Sequence, residues 1–320
     1  MVGKICGTGS YVPPKYLDNK DLSKMVDTND EWIQERTGII RRHIIDEDTT
    51  VTMAVKAAKK ALLKGETKAE EIELILLSTF SSNVLLPCGA CEVQKEIGAI
   101  NAVCFDINAA CSGFLFAYNT AQAYIAGGIY KKILIIGSES LSNLVDWRDR
   151  GTCILFGDGA GAVVLQAEEG ENYPFTAYSA GENGSALTCE NRYNKNWEEK
   201  EKSGDHYMKM DGQAVFKFAL RKVPESIGEL LKKNRLTVEN IDYFILHQAN
   251  RRIVTSIAKK LELSIEKFPM NLEEYGNTSS ASIPILLDEM NEKGLLKKNR
   301  WIVLAGFGAG LSWGASLLKW

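Results

Sequence analysis

Apolar runs alternate with amphipathic segments along the whole chain, and no Pro/Ser-rich linker or low-complexity tract separates them. The first ten residues have the pattern of a strand, and the mostly apolar run at 71–77 is typical of a buried strand. The predicted elements that follow are helix 54–63, strand 71–77, helix 92–97, strand 102–106, helix 108–126 and strand 132–136. This order predicts an α/β fold with a largely parallel sheet.

The same elements recur at a constant offset of 169 residues. Three pairs of segments share this offset: 72–77 with 241–246 (241 − 72 = 169), 108–112 with 277–281, and 133–137 with 302–306. We therefore predict a duplicated α/β unit with halves at residues 1–170 and 171–320. Two such halves pack about a pseudo-two-fold axis, which brings equivalent loops together near the centre.

Each half also contains a glycine-rich segment after these elements, at 156–165 and at 307–314. A dinucleotide-binding loop needs a strand, then glycines, then the start of a helix, whereas both segments lead into another strand-like run. We therefore expect two glycine-rich hairpins and no nucleotide loop. The polar stretch 182–202 is expected to be a surface excursion.

The candidate nucleophile is Cys111, which follows the predicted strand 102–106. Asn108 is a good helix cap and the two glycines at 127 and 128 are a natural stop, so we expect Cys111 in the first turn of a helix. Unpaired N–H groups and the helix dipole at that position favour a thiolate. The alternative is a buried cysteine of the core.

The offset of 169 residues gives Cys111 partners from the second half. It places Ser78 opposite His247 at a strand end, and Cys111 opposite Ser280, three residues after Asn277. Strand ends and strand-to-helix turns are where open α/β sheets present functional groups. Cys111, His247 and Asn277 are therefore expected to supply a nucleophile, a proton-handling imidazole and a side-chain amide.

The composition is that of a globular chain, with a formal net charge of −3 that argues against a general nucleic-acid binder. Since no run of about 18 apolar residues occurs and the start lacks a hydrophobic leader, we expect neither a membrane span nor a secretory signal. Seven cysteines, an odd number, favour a reducing cytoplasm. Cys88 and Cys91 have C-x-x-C spacing, but no second pair accompanies them, so we expect a structural role and no metal site.

Eight short segments carry a family resemblance. They are 30–33 (Asp-Glu-Trp-Ile), 36–39 (Arg-Thr-Gly-Ile), 109–113 (Ala-Ala-Cys-Ser-Gly), 150–152 (Arg-Gly-Thr), 156–159 (Phe-Gly-Asp-Gly), 247–253 (His-Gln-Ala-Asn-Arg-Arg-Ile), 276–279 (Gly-Asn-Thr-Ser) and 307–314. In order and spacing, over the whole chain, they resemble the signature set of β-ketoacyl-acyl carrier protein synthase III, in the thiolase superfamily. The resemblance implies a thiolase-like fold whose duplicated halves form a layered αβαβα arrangement.

The resemblance implies the decarboxylative Claisen condensation that initiates fatty acid synthesis. A short acyl-coenzyme A acylates Cys111; malonyl-acyl carrier protein then loses CO2, and its carbanion attacks the thioester to give a 3-oxoacyl product. His247 and Asn277 are implied as donors to the malonyl thioester oxygen. The backbone N–H groups of Cys111 and Ala309 are implied as donors to the acyl oxyanion. Coenzyme A enters as part of a substrate, and the resemblance implies no cofactor and no metal.

The resemblance also implies residues that bind coenzyme A. Trp32 and Arg150 are expected to sandwich the adenine, with Arg36 nearby, because tryptophan and arginine stack well on a base. Gly212 and Asn250 match positions that contact the pantetheine arm.

The predicted helix after His247 carries several cations on one face, since positions 252 and 259 lie two turns apart. A solvated face is the ordinary explanation, but beside an active-site mouth we expect a patch for the acidic acyl carrier protein. Its members are Lys217, Arg251, Arg252, Lys259 and Lys260. Leu86 matches a position that shapes the acyl pocket across the interface of a homodimer.

Several alternatives remain open from the residues alone. Condensing enzymes of secondary metabolism, of the polyketide or quinolone type, share the Cys-His-Asn set, and papain-like hydrolases use the same three residue types in the same chain order. A non-catalytic coenzyme A-binding scaffold is a third possibility. The sequence does not identify the acyl primer, nor whether the second substrate is carried by acyl carrier protein or by coenzyme A.

Overall fold

The structure is a computed structural model that describes residues 1–190 and 206–320. The strands of the described residues are β1 (Val2–Tyr11), β2 (Tyr16–Asp18), β3 (Arg41–His43), β4 (Leu74–Ser78), β5 (Val103–Ile107), β6 (Lys132–Glu139), β7 (Gly159–Glu168), β8 (Thr176–Ser179), β9 (Leu187–Thr188), β10 (Lys209–Met210), β11 (Tyr243–Leu246), β12 (Trp301–Gly308) and β13 (Ser312–Lys319). The α-helices are α1 (Asn19–Leu22), α2 (Asp30–Thr37), α3 (Thr50–Lys64), α4 (Gly89–Ile97), α5 (Gly113–Ala126), α6 (Arg150–Cys153), α7 (Gly212–Lys233), α8 (Arg251–Lys260), α9 (Leu272–Tyr275) and α10 (Ser282–Glu292).

Two mixed sheets form the centre of the fold, with strand orders β1-β7-β6-β4-β5 and β11-β12-β13-β8. Strand β4 runs parallel to β5 and β6, and β11 runs parallel to β12, while the other neighbours are antiparallel. The prediction of a largely parallel sheet is therefore wrong for β1 and β7 in the first sheet and for β13 and β8 in the second. Strands β12 and β13 follow each other through a short turn, and such a connection can join only antiparallel strands.

Helices occupy three layers around the two sheets. Helices α5 and α10 lie between the sheets, where Phe114 and Leu115 share one core with Ile283, Leu286 and apolar residues of both sheets. Helices α3 and α4 cover the outer face of the first sheet, and α7 and α8 cover that of the second. The predicted αβαβα layering is thereby confirmed.

Local sequence signals explain where the main elements begin and end. Helix α3 starts after a capping box in which Thr49 and Thr52 satisfy each other's backbone N–H groups. Helix α5 stops at Gly127 and Gly128, as predicted, and Gly128 takes a φ of +70°. All five residues of β4 are buried, as expected for a strand with a parallel neighbour on each side.

The 169-residue repeat is visible in the backbone. The 3-10 turns Ala110–Ser112 and Ser279–Ala281, called the matched turns below, differ by that offset (279 − 110 = 169). Strands β6 and β12 (301 − 132 = 169) and helices α5 and α10 (282 − 113 = 169) keep it as well. The duplicated architecture is confirmed, with one exception: the short helix α9 lies where a counterpart of β5 would be. All strands of the first sheet precede residue 169 and all those of the second follow residue 175, so the proposed division at 170/171 falls between them.

Two local predictions are wrong and one extends beyond the described residues. The strand predicted from residue 71 begins at Leu74, because Ala69–Glu71 forms a 3-10 turn. The first glycine-rich segment is not a hairpin, because residues 140–158 separate β6 from β7, whereas the second does join β12 to β13. The polar stretch 182–202 lies partly outside the described residues.

Candidate active site

Cys111 lies in the first matched turn, between β5 and α5, and is only 6% exposed. The sulfur therefore precedes the α-helix, and the prediction that it lies in the first helical turn is wrong by one short turn. Asn108 does not cap α5 either: its side chain accepts from the N–H of Ala110 at 3.4 Å, and the cap position belongs to Ser112. Ala110 takes a φ of +47°, a conformation that a non-glycine residue rarely adopts and that separates strand from helix sharply.

The end of β12 packs directly against the backbone of Cys111. A Cβ added at Gly308 would lie 2.8 Å from the Cys111 nitrogen, so a side chain cannot be accommodated there. The Ser112 hydroxyl donates to the Ser312 carbonyl at 3.1 Å and ties this turn to the β12–β13 hairpin. Ala309, the predicted second backbone donor, follows Gly308 and has no positive φ, so alanine is compatible with its position.

The Cys111 thiol is shifted in the direction opposite to our expectation. Burial raises the pKa of the thiol to about 12; the hydrogen bond from Ser279 lowers it, and the nearby carboxyl of Glu139 raises it. The expectation of a preformed thiolate is therefore wrong for the resting protein, because desolvation of the charge is the largest effect. A thiol with a raised pKa can act as a nucleophile only if its proton leaves as the new bond forms.

His247 follows the last residue of β11 and is buried. Its Nδ1 lies 2.8 Å from the Ser282 hydroxyl, and that oxygen also accepts the N–H of Gln248 at 3.2 Å. With its oxygen accepting from Gln248, the hydroxyl can donate its own proton to Nδ1, which leaves the imidazole proton on Nε2. Burial lowers the pKa of His247 to about 3, so the ring is neutral at physiological pH and acts as a hydrogen-bond donor.

Asn277 follows Gly276, which takes a φ of +66°, and leads into the second matched turn. Its Oδ1 accepts the N–H of Ser279 at 2.9 Å, and its own N–H donates to the Leu155 carbonyl at 2.9 Å. Since the side-chain oxygen is engaged, the amide NH2 is the group left to donate to a substrate. The side chain is thus oriented as a donor.

Residues 277–282 connect the three candidates. Asn277 belongs to this segment, Ser279 donates to the Cys111 sulfur at 3.1 Å, and Ser282 holds the ring of His247. One short segment therefore contacts or contains all three candidate side chains. The predicted grouping of Cys111, His247 and Asn277 rests on these contacts.

The structure also brings together three of the residues expected to bind coenzyme A. The guanidinium carbon of Arg150 lies 5.0 Å from the ring centroid of Trp32, and that of Arg36 lies 5.9 Å away. Arg150 further donates to the Asp27 carbonyl at 2.8 Å. Because Arg150 already stacks on the indole, an adenine between the two requires Arg150 to move outward.

The two residues expected to contact pantetheine lie at helix starts. Asn250 caps α8 by accepting the N–H of Arg252 at 2.8 Å, and its amide donates to the Arg36 carbonyl at 3.0 Å. Gly212 is the first residue of α7, after the cap residue Asp211. Asn250 thus joins α8 to the end of α2, next to the arginine-tryptophan cluster.

The cations expected to bind the carrier protein are exposed, but their contacts differ. Arg251 is ion-paired with Glu273 at 2.9 Å, whereas Arg252 lies 5.7 Å from the ring centroid of Phe216 on α7. Lys260 donates to a backbone carbonyl of α7. Lys217 follows Phe216 on α7, and Lys259 and Lys260 lie at the far end of α8.

Leu86 and the C-x-x-C pair lie before and at the start of α4. The side chain of Leu86 is 91% exposed. The sulfurs of Cys88 and Cys91 are 3.4 Å apart, and both are free thiols. Within residues 1–190 and 206–320, no group of three or more His, Cys, Asp or Glu side chains is placed to hold a metal ion.

Three hydroxyls and one carboxyl of the site were missed from the sequence. Ser279 contacts the sulfur, Ser282 contacts His247, and Ser280 donates to the buried carboxyl of Glu139 at 2.8 Å. The available signal was the offset of 169, which places Ser280 opposite Cys111 and Glu139 opposite Gly308 (308 − 139 = 169).

Two family models match the chain. The model described as 3-oxoacyl-[acyl-carrier-protein (ACP)] synthase III matches residues 105–184, and that of its C-terminal part matches residues 231–320. Among curated proteins, the β-ketoacyl-[acyl-carrier-protein] synthase III of Clostridium acetobutylicum is 48% identical and covers 99% of this chain and 98% of its own length. That of Streptococcus mutans is 46% identical with the same coverage.

Solved structures agree with these sequence matches. The 3-oxoacyl-[acyl-carrier-protein] synthase III of Aquifex aeolicus has a TM-score of 0.93 and 42% identity, covering 99% of this chain and 100% of its own. The priming β-ketosynthase of the R1128 polyketide pathway has the same TM-score at 32% identity, covering 99% and 96%. No helix in the described part of the chain is long and apolar enough to cross a membrane. The sequence and structure matches remove the papain-like alternative and confirm the resemblance seen in the motifs. The chain belongs to the β-ketoacyl-acyl carrier protein synthase III family, the initiating condensing enzymes of fatty acid synthesis.

Proposed function

We propose that Cys111, His247 and Asn277 carry out the two half-reactions of this condensation. The observation that carries the proposal is the segment 277–282, which orients all three side chains through direct hydrogen bonds. It supports one sulfur nucleophile and two neutral donors, a set suited to thioester exchange followed by decarboxylation.

In the first half-reaction, the Cys111 sulfur attacks the carbonyl carbon of a short acyl-coenzyme A. The S–H bond of Cys111 breaks as the new S–C bond forms, the bond to the coenzyme A sulfur breaks, and the proton ends on that leaving sulfur. An oxyanion exists after the new S–C bond forms and before the coenzyme A sulfur leaves. The backbone N–H groups of Cys111 and Ala309 are proposed to stabilise this oxyanion. The close approach of Gly308 supports this, because it brings the β12–β13 turn against Cys111.

In the second half-reaction, the malonyl group on acyl carrier protein loses CO2. The electron pair of the broken C–C bond moves onto the thioester oxygen as an enolate, which Nε2–H of His247 and the amide of Asn277 stabilise. The enolate carbon then attacks the acyl group on Cys111 and releases the sulfur, which regains a proton. A neutral His247 suits this role, since it donates without needing to be charged.

The two substrates are proposed to bind beside the contact between α2 of the first half and α8 of the second, where Asn250 donates to the Arg36 carbonyl. Trp32, Arg36 and Arg150 would hold the nucleotide of coenzyme A, with Gly212 and Asn250 along the pantetheine. Lys217, Arg252, Lys259 and Lys260 would contact the acidic carrier protein, whereas Arg251 is partly neutralised by Glu273.

A homodimer in the cytoplasm completes the proposal. Strand β5 is an open edge of the first sheet, with Val103 half exposed, and Leu85 and Leu86 project nearly fully from the segment before α4. An unpaired edge beside exposed leucines is typical of a surface that pairs with a second copy, which would place Leu86 at the partner's acyl pocket. Seven free thiols support a reducing compartment.

The proposal is tested by intact-mass measurement after incubation with a panel of straight, branched and longer acyl-coenzyme A primers. We expect one acyl group on Cys111 and none in Cys111→Ser, and the primer with the fastest acylation identifies the acyl substrate. Malonyl groups on acyl carrier protein and on coenzyme A are then compared as second substrate. Acylation at another residue, or none with any primer, would contradict the assignment.

A further inference from the structure

The hydroxyl of Ser279 is in direct contact with the reacting sulfur. It donates to Cys111 Sγ over 3.1 Å, and Ser279 is only 1% exposed. Its own N–H is fixed by Asn277 Oδ1 at 2.9 Å. The donor is therefore oriented toward the sulfur before any substrate arrives.

A buried carboxyl anchors the turn that carries this hydroxyl. Ser280 donates to Glu139 at 2.8 Å and to the Ser78 carbonyl at 3.1 Å. Glu139 is fully buried and also accepts from Ser81, Thr79 and the N–H of Phe80. No lysine or arginine among the described residues forms an ion pair with it, so these four donors solvate the carboxyl in place of a cation.

The first matched turn provides a natural comparison within the same chain. Ala110 corresponds to Ser279 (279 − 110 = 169) and takes nearly the same φ, +47° against +50°. A methyl group at this position is therefore compatible with the turn. The hydroxyl of Ser279 is not needed to form the backbone, and what it adds is the contact with sulfur.

We propose that Ser279 is a catalytic residue of the acylation step, donating a hydrogen bond to the Cys111 sulfur as that sulfur loses its proton, while Ser280 and Glu139 hold its turn in position. The inference rests on the proposed role of Cys111. Ser279 keeps its own proton: it stabilises the negative charge that develops on the sulfur, and the proton lost by Cys111 still ends on the coenzyme A sulfur.

The physical reason is that a donor binds a thiolate more strongly than a thiol. Charge-assisted hydrogen bonds are shorter and roughly twice as strong as neutral ones, so the contact gains strength as the charge develops. The charged group acting on this sulfur is Glu139, which disfavours the thiolate, and Ser279 opposes that effect. The Ser279 hydroxyl thus offsets part of the effect of burial, which disfavours ionisation of the Cys111 thiol.

The test is Ser279→Ala, examined in two ways. The first is the rate at which iodoacetamide alkylates Cys111 between pH 7 and 9, followed by mass spectrometry of the Cys111 peptide, with the other six cysteines as internal references. The second is single-turnover acylation by acetyl-coenzyme A, or by the fastest primer of the panel. We expect both rates to fall about tenfold or more, the effect of removing one hydrogen bond to a charged group.

The matched control is Ser280→Ala, which removes the anchor but keeps the hydroxyl at Ser279. We expect a smaller loss in the alkylation rate than in Ser279→Ala. Equal losses in the two variants would show that order in the turn, rather than the hydroxyl, controls the sulfur, and would overturn the proposal. Should Ser279→Ala fail to fold, Ser279→Gly removes the same hydroxyl and tolerates positive φ.

Rates within twofold of the unsubstituted protein in a folded Ser279→Ala or Ser279→Gly variant would also overturn it. Failure of the proposed function is distinguishable from this result. In that case the unsubstituted protein takes no acyl group from any primer, while the alkylation measurement still decides whether Ser279 activates the sulfur.

Discussion

The two matched turns have the same backbone and different chemistry. Both begin with a residue at a φ near +50° and both lead directly into a central helix. In the first, Cys111 faces Gly308 at the end of β12; in the second, Ser280 donates to Glu139 at the end of β6. The repeat thus supplies one geometry twice, and the residue at the end of the facing strand distinguishes the turn that carries the proposed nucleophile from the turn anchored to a buried carboxyl.

The largest effect is expected from exchanging the two side chains. The double variant Cys111→Ser, Ser280→Cys moves the thiol into the equivalent backbone, but there it meets the carboxyl of Glu139, where Cys111 has the bare backbone of Gly308. We expect acyl-enzyme formation to fall by about a thousandfold or more, because residues of a nucleophilic site act as a unit. Intact mass after incubation with acyl-coenzyme A measures this. Acylation at position 280 would show that the two turns are chemically equivalent and would contradict this prediction.

The second prediction tests whether His247 and Asn277 act in a different step from Cys111. His247 in the second half stands where the first half has Ser78, so only one half carries the imidazole. We expect His247→Ala and Asn277→Ala each to slow decarboxylation of malonyl-acyl carrier protein about a hundredfold or more, the effect of losing one preorganised donor. Release of CO2 is the measurement. Acylation by acyl-coenzyme A should change far less, and an equal loss in both steps would contradict separate roles.

A third effect concerns the carboxyl that distinguishes the anchoring turn. Burial raises the pKa of Glu139 to about 7, whereas the unfolded chain loses that proton near 4.5. Between these values the unfolded state binds fewer protons, so the contribution of Glu139 to stability falls as pH rises through that window. The loss is on the order of 3 kcal/mol. We expect Glu139→Gln to gain stability relative to the unsubstituted protein between pH 5 and 8, as measured by urea unfolding.

The exposed Glu35→Gln variant is the control for the loss of one negative charge. Its unfolding free energy as a function of pH is the reference with which that of Glu139→Gln is compared. If the unsubstituted protein and Glu139→Gln keep a constant difference in free energy of unfolding from pH 5 to 8, the carboxyl does not titrate in that window.

The smallest effect is expected from substitutions in the outer helix α8, whose charges differ from those of α4. Helix α8 carries four cations and no acidic residue, whereas α4 in the first half carries Glu92, Lys95 and Glu96. We expect Arg252→Glu to raise the KM for malonyl-acyl carrier protein several-fold and to leave acylation by acyl-coenzyme A unaffected. The matched variant Arg251→Glu should do less, since Arg251 is already paired with Glu273. Equal changes in both steps would exclude a docking role.

The sequence predicts the architecture well, because the offset of 169 and the apolar runs follow the backbone. Segments 72–77 and 241–246 predict β4 and β11, and the offset pairs Cys111 with Ser280. The state of the thiol was not predictable, because its pKa depends on burial by groups far apart in the chain. The Ser279 contact was missed for the same reason, since it joins residues 168 positions apart.

Short local structure was the other source of error. Asn108 has the residue type of a cap, yet the strained Ala110 inserts a 3-10 turn before α5. The turn that contains Ala110 packs against Gly308, which lies 198 residues further along the chain (308 − 110 = 198), and helix propensity does not encode such a contact. Apolar periodicity located the helix correctly and its first turn incorrectly.

The second half has no counterpart of β5, because the short helix α9 lies at the equivalent place. Strand β5 is an edge strand whose outer backbone donors and acceptors pair with no other strand among the described residues. In the proposed homodimer, pairing of β5 with β5 of the second copy is a self-complementary contact with two-fold symmetry. Such a contact closes after two molecules, so the same edge that joins a pair does not propagate a filament.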